Sequence, residues 1–119
     1  MTAGFSKLQV DRLGDVVVVR FADPRIRDEE TVTKIARELG SVLAHEKTPK
    51  LVIDFTGVQA APSFMFGTLI TFHEDVSAKN GQLRLAAVSP GLRQVFTATR
   101  LDQMLQILPT VEEAAASIT

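Results

Sequence analysis

The chain contains no cysteine. That single absence removes a disulfide scaffold, a thiolate zinc site and a cysteine nucleophile together, and it fits a reducing cytoplasm. Net charge is equally scarce: 13 Lys and Arg against 14 Asp and Glu leave a formal −1. Without an excess of basic residues there is no broad footprint for nucleic acid. The opening MTAGFSKLQVDRLGD lacks a basic segment followed by an apolar run, so no leader peptide is expected. Thr2 stands where N-myristoylation needs glycine. The only membrane candidate is residues 58–74, VQAAPSFMFGTLITFHE, in which Gln59, Pro62, Ser63, Gly67 and two threonines fall short of a spanning helix. These absences predict a soluble, cytoplasmic protein that engages neither nucleic acid nor membrane.

Catalytic patterns are missing too. Neither phosphate-binding glycine pattern, G-x-G-x-x-G or G-x-x-x-x-G-K-[ST], occurs. Ser63 sits in Ala-Pro-Ser-Phe-Met, not in a G-x-S-x-G elbow. The two histidines, His45 and His73, fall on different predicted helices without metal-ligand spacing, so no metal and no cofactor are expected. His73 reads as a partly buried helix residue and His45 as a solvated one near a helix end. Asp28-Glu29-Glu30 is explained by helix capping without a metal. No carboxylate pair, triad or base constellation remains, and the reading is that the chain is not an enzyme.

What is present is a globular composition, 45% apolar and 23% charged over 119 residues. That is enough for one domain spanning 1–119 and too little for two. Leu8, Val10 and Arg12 alternate with more polar neighbours, and Gly14-Asp15 offers a two-residue turn into VVVVRF. The unbroken Val16–Val19 predicts a strand buried on both faces. After a loop at Ala22–Arg27, Asp28 reads as an N-cap. Val32, Ile35, Ala36, Leu39, Val42 and Leu43 then form one apolar stripe, with Glu30–Lys34 and Lys34–Glu38 as i,i+4 pairs opposite.

LVIDF (51–55) is a second buried strand, Ser63 to about Ala78 a helix ended by Asn80-Gly81, and LRLAAV (83–88) a third core strand. Ser89-Pro90 opens a helix whose buried side is Leu92, Val95 and Phe96. Leu105–Leu108 is a short strand, and the capping box Thr110 to Glu113 starts a last helix to about Ile118. The order β-β-α-β-α-β-α-β-α implies an α/β fold: a mostly parallel sheet of about five strands with an antiparallel pair at the start.

Two positions remain open between structure and chemistry. Asp54 ends a central strand, where α/β proteins place their sites, yet it can equally bond the N–H groups of the following loop. Ser63 follows the next loop and opens a helix, with Pro62 preventing an earlier start. Its hydroxyl either caps the first turn or accepts a phosphate, which a helix N-terminus favours. Between Asp54 and Glu74 there is no charged residue, so phosphorylation, adding about −1.5 to −2 charges, would invert the local potential.

Three segments carry a resemblance over essentially the whole chain: LVIDFTGVQAAPSFMFGTLITF, AKNGQLRLAAVSPGLRQVFTATRLDQML and PTVEEAAASI. With the Asp54–Val58 step, the Asn80–Pro90 run and Val95–Leu101, the chain resembles the STAS domain of bacterial anti-sigma factor antagonists. The resemblance implies a regulator that binds an anti-sigma serine kinase, which phosphorylates a serine in a D-S-[ST]-G-L-G segment, while a PP2C-type phosphatase resets it. Phosphorylation releases the partner. Here the segment is Pro62-Ser63-Phe64-Met65-Phe66-Gly67. Ser63 matches the phosphoacceptor and Gly67 the second glycine; Pro62, Phe64 and Met65 replace the aspartate, the second hydroxyl and the first glycine. The family's G-E-[LI]-D turn is replaced by Ala22-Asp23-Pro24-Arg25.

The implied contact surface is Asp23, Pro62, Ser63, Phe64, Met65, Gly67 and Thr68, with Ala61–Met65 as an exposed mouth of the helix. Phe64 and Thr68, if outward-facing, form an apolar docking patch; the other reading has Phe64 and Met65 fill space beneath the loop. Phe66, Leu69, Ile70 and Val76 are assigned to core by their spacing. A scaffold that binds partners without phosphorylation is the alternative function. A weak homodimer and small-ligand binding beside the loop are compatible with the sequence.

Overall fold

The structure, a computed structural model, describes residues 5–119; Thr2 lies outside them. Elements follow in the order β1 (Leu8–Leu13), β2 (Val16–Phe21), α1 (Glu29–Ala44), β3 (Lys50–Asp54), α2 (Ser63–Ala78), β4 (Gln82–Ala86), α3 (Pro90–Ala98), a 3-10 turn (Leu101–Gln103), β5 (Gln106–Leu108) and α4 (Val111–Ala116). This is the order read from the sequence, with the 3-10 turn added.

The five strands form one sheet in sequence order. β1 and β2 pair antiparallel with Leu13 opposite Val16, and Gly14 takes φ +66 in the two-residue turn between them. The remaining neighbours are parallel, which requires the helical crossovers found between them. Alternation then divides the side chains. Val17, Val19, Leu51, Ile53, Leu83 and Leu85 enter a large core beneath α1, α2 and α3. Val16, Val18, Val52 and Ala86 enter a small one covered by Ala114 of α4, with Val111, Ala115 and Ile118 against it. An edge-to-face series of rings, Phe21–Phe55–Phe96–Phe66, crosses the C-terminal edge of the large core with centroids 5.3, 6.4 and 5.3 Å apart. It ties α2 and α3 to the strand ends.

Several expectations are corrected. β4 stops at Ala86, because Ala87 adopts φ +57 and leaves the strand direction. Val95 is exposed, and the α3 core is Leu92 and Phe96. At the end of α2, Asn80 alone takes the left-handed conformation, φ 58. Gly81 is needed for space instead: a Cβ there would lie 2.6 Å from the Pro49 carbonyl oxygen.

The largest correction concerns Glu38. Lys34 reaches Glu30, 3.5 Å away, but makes no ion pair with Glu38. Glu38 instead accepts from the backbone N–H groups of Ser6, Lys7 and Leu8 at 3.0–3.2 Å, and from the Ser6 hydroxyl at 3.1 Å. One carboxylate on α1 thus gathers three successive amides at the start of the edge strand. Replacing Glu38 by alanine leaves those donors without a charged acceptor. The expected cost is about 1–2 kcal/mol in urea-unfolding stability, with Glu38→Gln losing less; a Glu38→Ala protein as stable as the parent would show that the amides find water at no cost.

Candidate functional site

The parallel strands β2, β3 and β4 run the same way, so their C-terminal ends and following loops share one edge of the sheet. β3 ends there in Asp54, the single buried charged residue among those described. One of its oxygens accepts from the Thr56 N–H at 2.9 Å and the Thr56 hydroxyl at 2.6 Å; the other faces Arg20 Nε at 3.4 Å. Arg20 also donates to Asp11 at 3.0 Å. One oxygen thus folds the turn that begins the β3–α2 loop, as the backbone-bonding reading expects, and the other pairs across the sheet with Arg20 of β2. That turn brings Gly57, at φ +85, against Pro24, where an added Cβ would meet the ring at 3.2 Å. The two loops therefore lie side by side, with a small cleft between Arg25, Arg27, Gln59 and Ala60.

Asp23 belongs to the first loop. Its carboxylate accepts from the Arg25 N–H at 2.9 Å and from two Arg25 guanidinium nitrogens at 3.0 and 3.2 Å. Hydrogen bonding to the Arg25 side chain, then to its N–H, holds this carboxyl below the usual carboxylate range. Asp23 is exposed but engaged by its own loop.

The second loop delivers α2. Three of the four described α-helices start with a side-chain cap: Asp28 accepts from the Thr31 N–H at 2.8 Å, Ser89 from the Leu92 N–H at 3.2 Å and Thr110 from the Glu113 N–H at 3.1 Å. α2 has none. Its N-cap is Pro62, in extended conformation at φ −65 and ψ 151, and no acidic residue stands in its first turn. Ser63 is the first helical residue rather than the cap, which corrects the capping expectation. It is exposed. Its hydroxyl lies at a helix end whose positive dipole is not offset by a carboxylate.

The neighbours of Ser63 divide sharply. Phe64 is 46% exposed and Met65 is fully buried, since α2 turns its 65, 69, 72 and 76 positions inward. Met65 is thus core, not part of the exposed mouth. Leu69 and Val76 are buried as expected, while Phe66 and Ile70 are partly exposed residues packed on the large core. Pro62 and Thr68 are half-exposed and Gly67 exposed. The Thr68 hydroxyl donates to the Phe64 carbonyl at 3.2 Å. Ser63, Phe64, Gly67 and Thr68 therefore share the outer surface of the first turns of α2, and Asp23 lies on the adjacent loop.

Outside this edge, His45 closes α1 with Nδ1 2.7 Å from the Ser41 carbonyl, and His73 is partly buried with Nδ1 unpartnered among the described residues. The Asp28 carboxyl is held low, chiefly by the Thr31 N–H it caps. Among the described residues no group of three or more His, Asp or Glu is arranged to hold a metal, and no helix is long and apolar enough to cross a membrane.

The division between neighbours is measurable. Met65→Ala should lower unfolding stability by about 2–4 kcal/mol through a core cavity. Phe64→Ala should change it by less than about 0.5 kcal/mol. Similar losses for both would contradict the placement of Phe64 on the surface.

Comparison with known proteins agrees with this geometry. A STAS domain family model matches residues 7–114. An anti-sigma-factor antagonist (STAS) domain protein from Planctomyces limnophilus superposes with a TM-score of 0.84 at 25% identity, covering 92% of this chain and 96% of its own. An anti-sigma factor antagonist from Mycobacterium paratuberculosis gives 0.79 at 25%, covering 93% and 92%. The Bacillus cell fate determinant SpoIIAA in its phosphorylated form gives 0.67 at 20%, covering 92% and 96%, a likeness of fold. The sheet order, the crossovers and the match over nearly the whole length lead to one conclusion: the chain belongs to the STAS domain family, with the fold of the anti-sigma factor antagonists.

Proposed function

We propose that this protein is a cytoplasmic anti-sigma factor antagonist that binds an anti-sigma serine kinase through the start of α2 and releases it when Ser63 is phosphorylated. The observation that carries the reading is the exposed Ser63 at the one described helix that lacks a side-chain cap, beside the exposed Phe64. The apolar Phe64, with Gly67 and Thr68 one turn on, forms a contact that favours the dephosphorylated protein. Asp23 and Pro62 border it.

A phosphate on Ser63 brings about −1.5 to −2 charges to this surface. The uncapped N–H groups and the dipole of α2 accept that charge, so the modified protein stays folded. The partner, however, must then desolvate a dianion to reach Phe64, and the contact becomes unfavourable. A PP2C-type phosphatase restores the binding form. Met65, which replaces a glycine of the family segment, is no obstacle to kinase access because it is buried. Phe64, in place of the second hydroxyl, is the residue that would set partner choice.

The test uses the intact protein, its cognate kinase and ATP. Phosphopeptide mapping should place the phosphate on Ser63, Ser63→Ala should abolish labelling while keeping binding, and Ser63→Asp should weaken binding at least tenfold. Phosphate elsewhere sinks the switch. Equal affinity of all three proteins for the partner favours a constitutive scaffold, the reading supported by Pro62 and Phe64 in the motif.

A further inference from the structure

A groove lies between α1 and α2, away from the cleft of the strand-end loops but sharing Phe64, Gly67 and Thr68 with the proposed partner contact. Ala36 and Gly40 on α1 face Gly67 on α2, and these small residues leave the two helices incompletely packed. The result is a groove of about 430 Å³, within the range of roughly 300–1,000 Å³ usual for small-molecule sites. Its floor is buried Leu39 and Phe72. Phe64 stands at one end, Thr68 and Thr71 add hydroxyls along one wall, and Asp75 stands at the other end. The helical rise from Phe64 to Asp75 is roughly 16 Å.

Among the described residues, Asp75 is the only charged one lining the groove. The cation one turn beyond it is Lys79, whose ammonium is committed elsewhere: it donates to the carbonyls of Leu43 and Glu46, 2.8 Å each, at the end of α1. The exposed Asp75 carboxylate is left without an ion pair among the described residues. An apolar trough with one uncompensated carboxylate at one end is complementary to an elongated apolar molecule with one positive end.

We propose that the groove between α1 and α2 binds a small amphiphilic monocation, an alkyl or arylalkyl ammonium. Its apolar body lies over Leu39 and Phe72 toward Phe64. Its ammonium donates to the Asp75 carboxylate and to the Thr71 hydroxyl oxygen, one helical turn apart on the same face. An amphiphilic carboxylate of the same length is repelled by Asp75, and a neutral alcohol gains only the apolar contact. The inference does not rest on phosphorylation of Ser63.

The experiment titrates the intact protein with n-octylammonium, n-octanoate and n-octanol, following backbone amide shifts. Saturable one-to-one shifts confined to the facing sides of α1 and α2, strongest for n-octylammonium, are expected. Asp75→Asn should weaken that binding about three- to fivefold, the effect of losing one partly solvated ion pair. Gly40→Leu should abolish it by filling the groove. A Cβ at Gly40 meets nothing within 4 Å, so the added side chain starts in open space, and the unfolding midpoint checks that the fold is kept. Binding of n-octanoate as tight as n-octylammonium, or either variant binding like the parent, overturns the proposal. So does silence toward all three probes, which leaves the groove to a protein partner. Concentration-dependent association of the protein alone through the same amides gives it to a second copy and equally overturns the proposal.

Discussion

The central strand β3 has no water on either side: Leu51, Val52 and Ile53 are completely buried. A parallel strand of this kind holds only if both sheet faces are covered, and that requirement shapes the rest of the chain. Leu51 and Ile53 demand the broad helical layer of α1, α2 and α3; Val52 demands something on the opposite face, and the short α4 supplies it with Ala114. Six residues of α4 suffice because the second core is small and β1 and β2 carry polar side chains beyond it. Arg20, Asp11 and Asp54 occupy that face as a hydrogen-bonded series.

Covering β3 also fixes where the surface chemistry lies. The parallel pairing of β2 with β3 brings the β2–α1 and β3–α2 loops out at the same edge. Their contact through Pro24 and Gly57 makes the Asp23 loop a neighbour of the segment leading to Ser63. Beneath them the phenylalanine series anchors Phe66 on Phe96. The base of α2 is therefore rigidly seated while its first turn is presented to solvent. A rigid support under an exposed serine is what a modification site needs if the surface is to change and the fold is not.

Much of this was legible in residue spacing, and what was not has a common cause. The apolar stripe of α1, the hairpin turn at Gly14 and the extent of α2 follow from local periodicity and from residues with strong backbone preferences. Glu38 did not, because its partners are amides some thirty residues away and Lys34, one turn off, offered a local explanation. Lys79 escaped for the same reason. Val95 obeys helical spacing yet lies on the exposed side of α3. At the candidate site, the position of Ser63 was readable but its role in the helix was not: whether it or Pro62 is the cap depends on one residue of helix phase, and spacing does not resolve phase that finely. The same phase sends Met65 inward and leaves Phe64 outside.

The missing cap on α2 is therefore informative in energetic terms. A side-chain cap contributes about 1 kcal/mol to a helix, and α2 forgoes it. The helix is held instead by Met65, Leu69, Phe72 and Val76, each of which stabilises by about 1.5–3 kcal/mol when fully buried. The sum of those burials is several times the cap, so the Ser63 hydroxyl itself is free of any capping duty. A serine that served as the cap would couple its modification to the unfolding of the first turn, since a phosphate replaces the hydroxyl that accepts the N–H. Placed one residue inside an uncapped helix, Ser63 makes no such bond, so under the proposed switch its modification would leave the packing of Met65 in place. Pro62, which at first sight spoils the family segment, is what makes this arrangement: its ring fixes the extended approach to the helix and gives the first turn its conformation without using the serine.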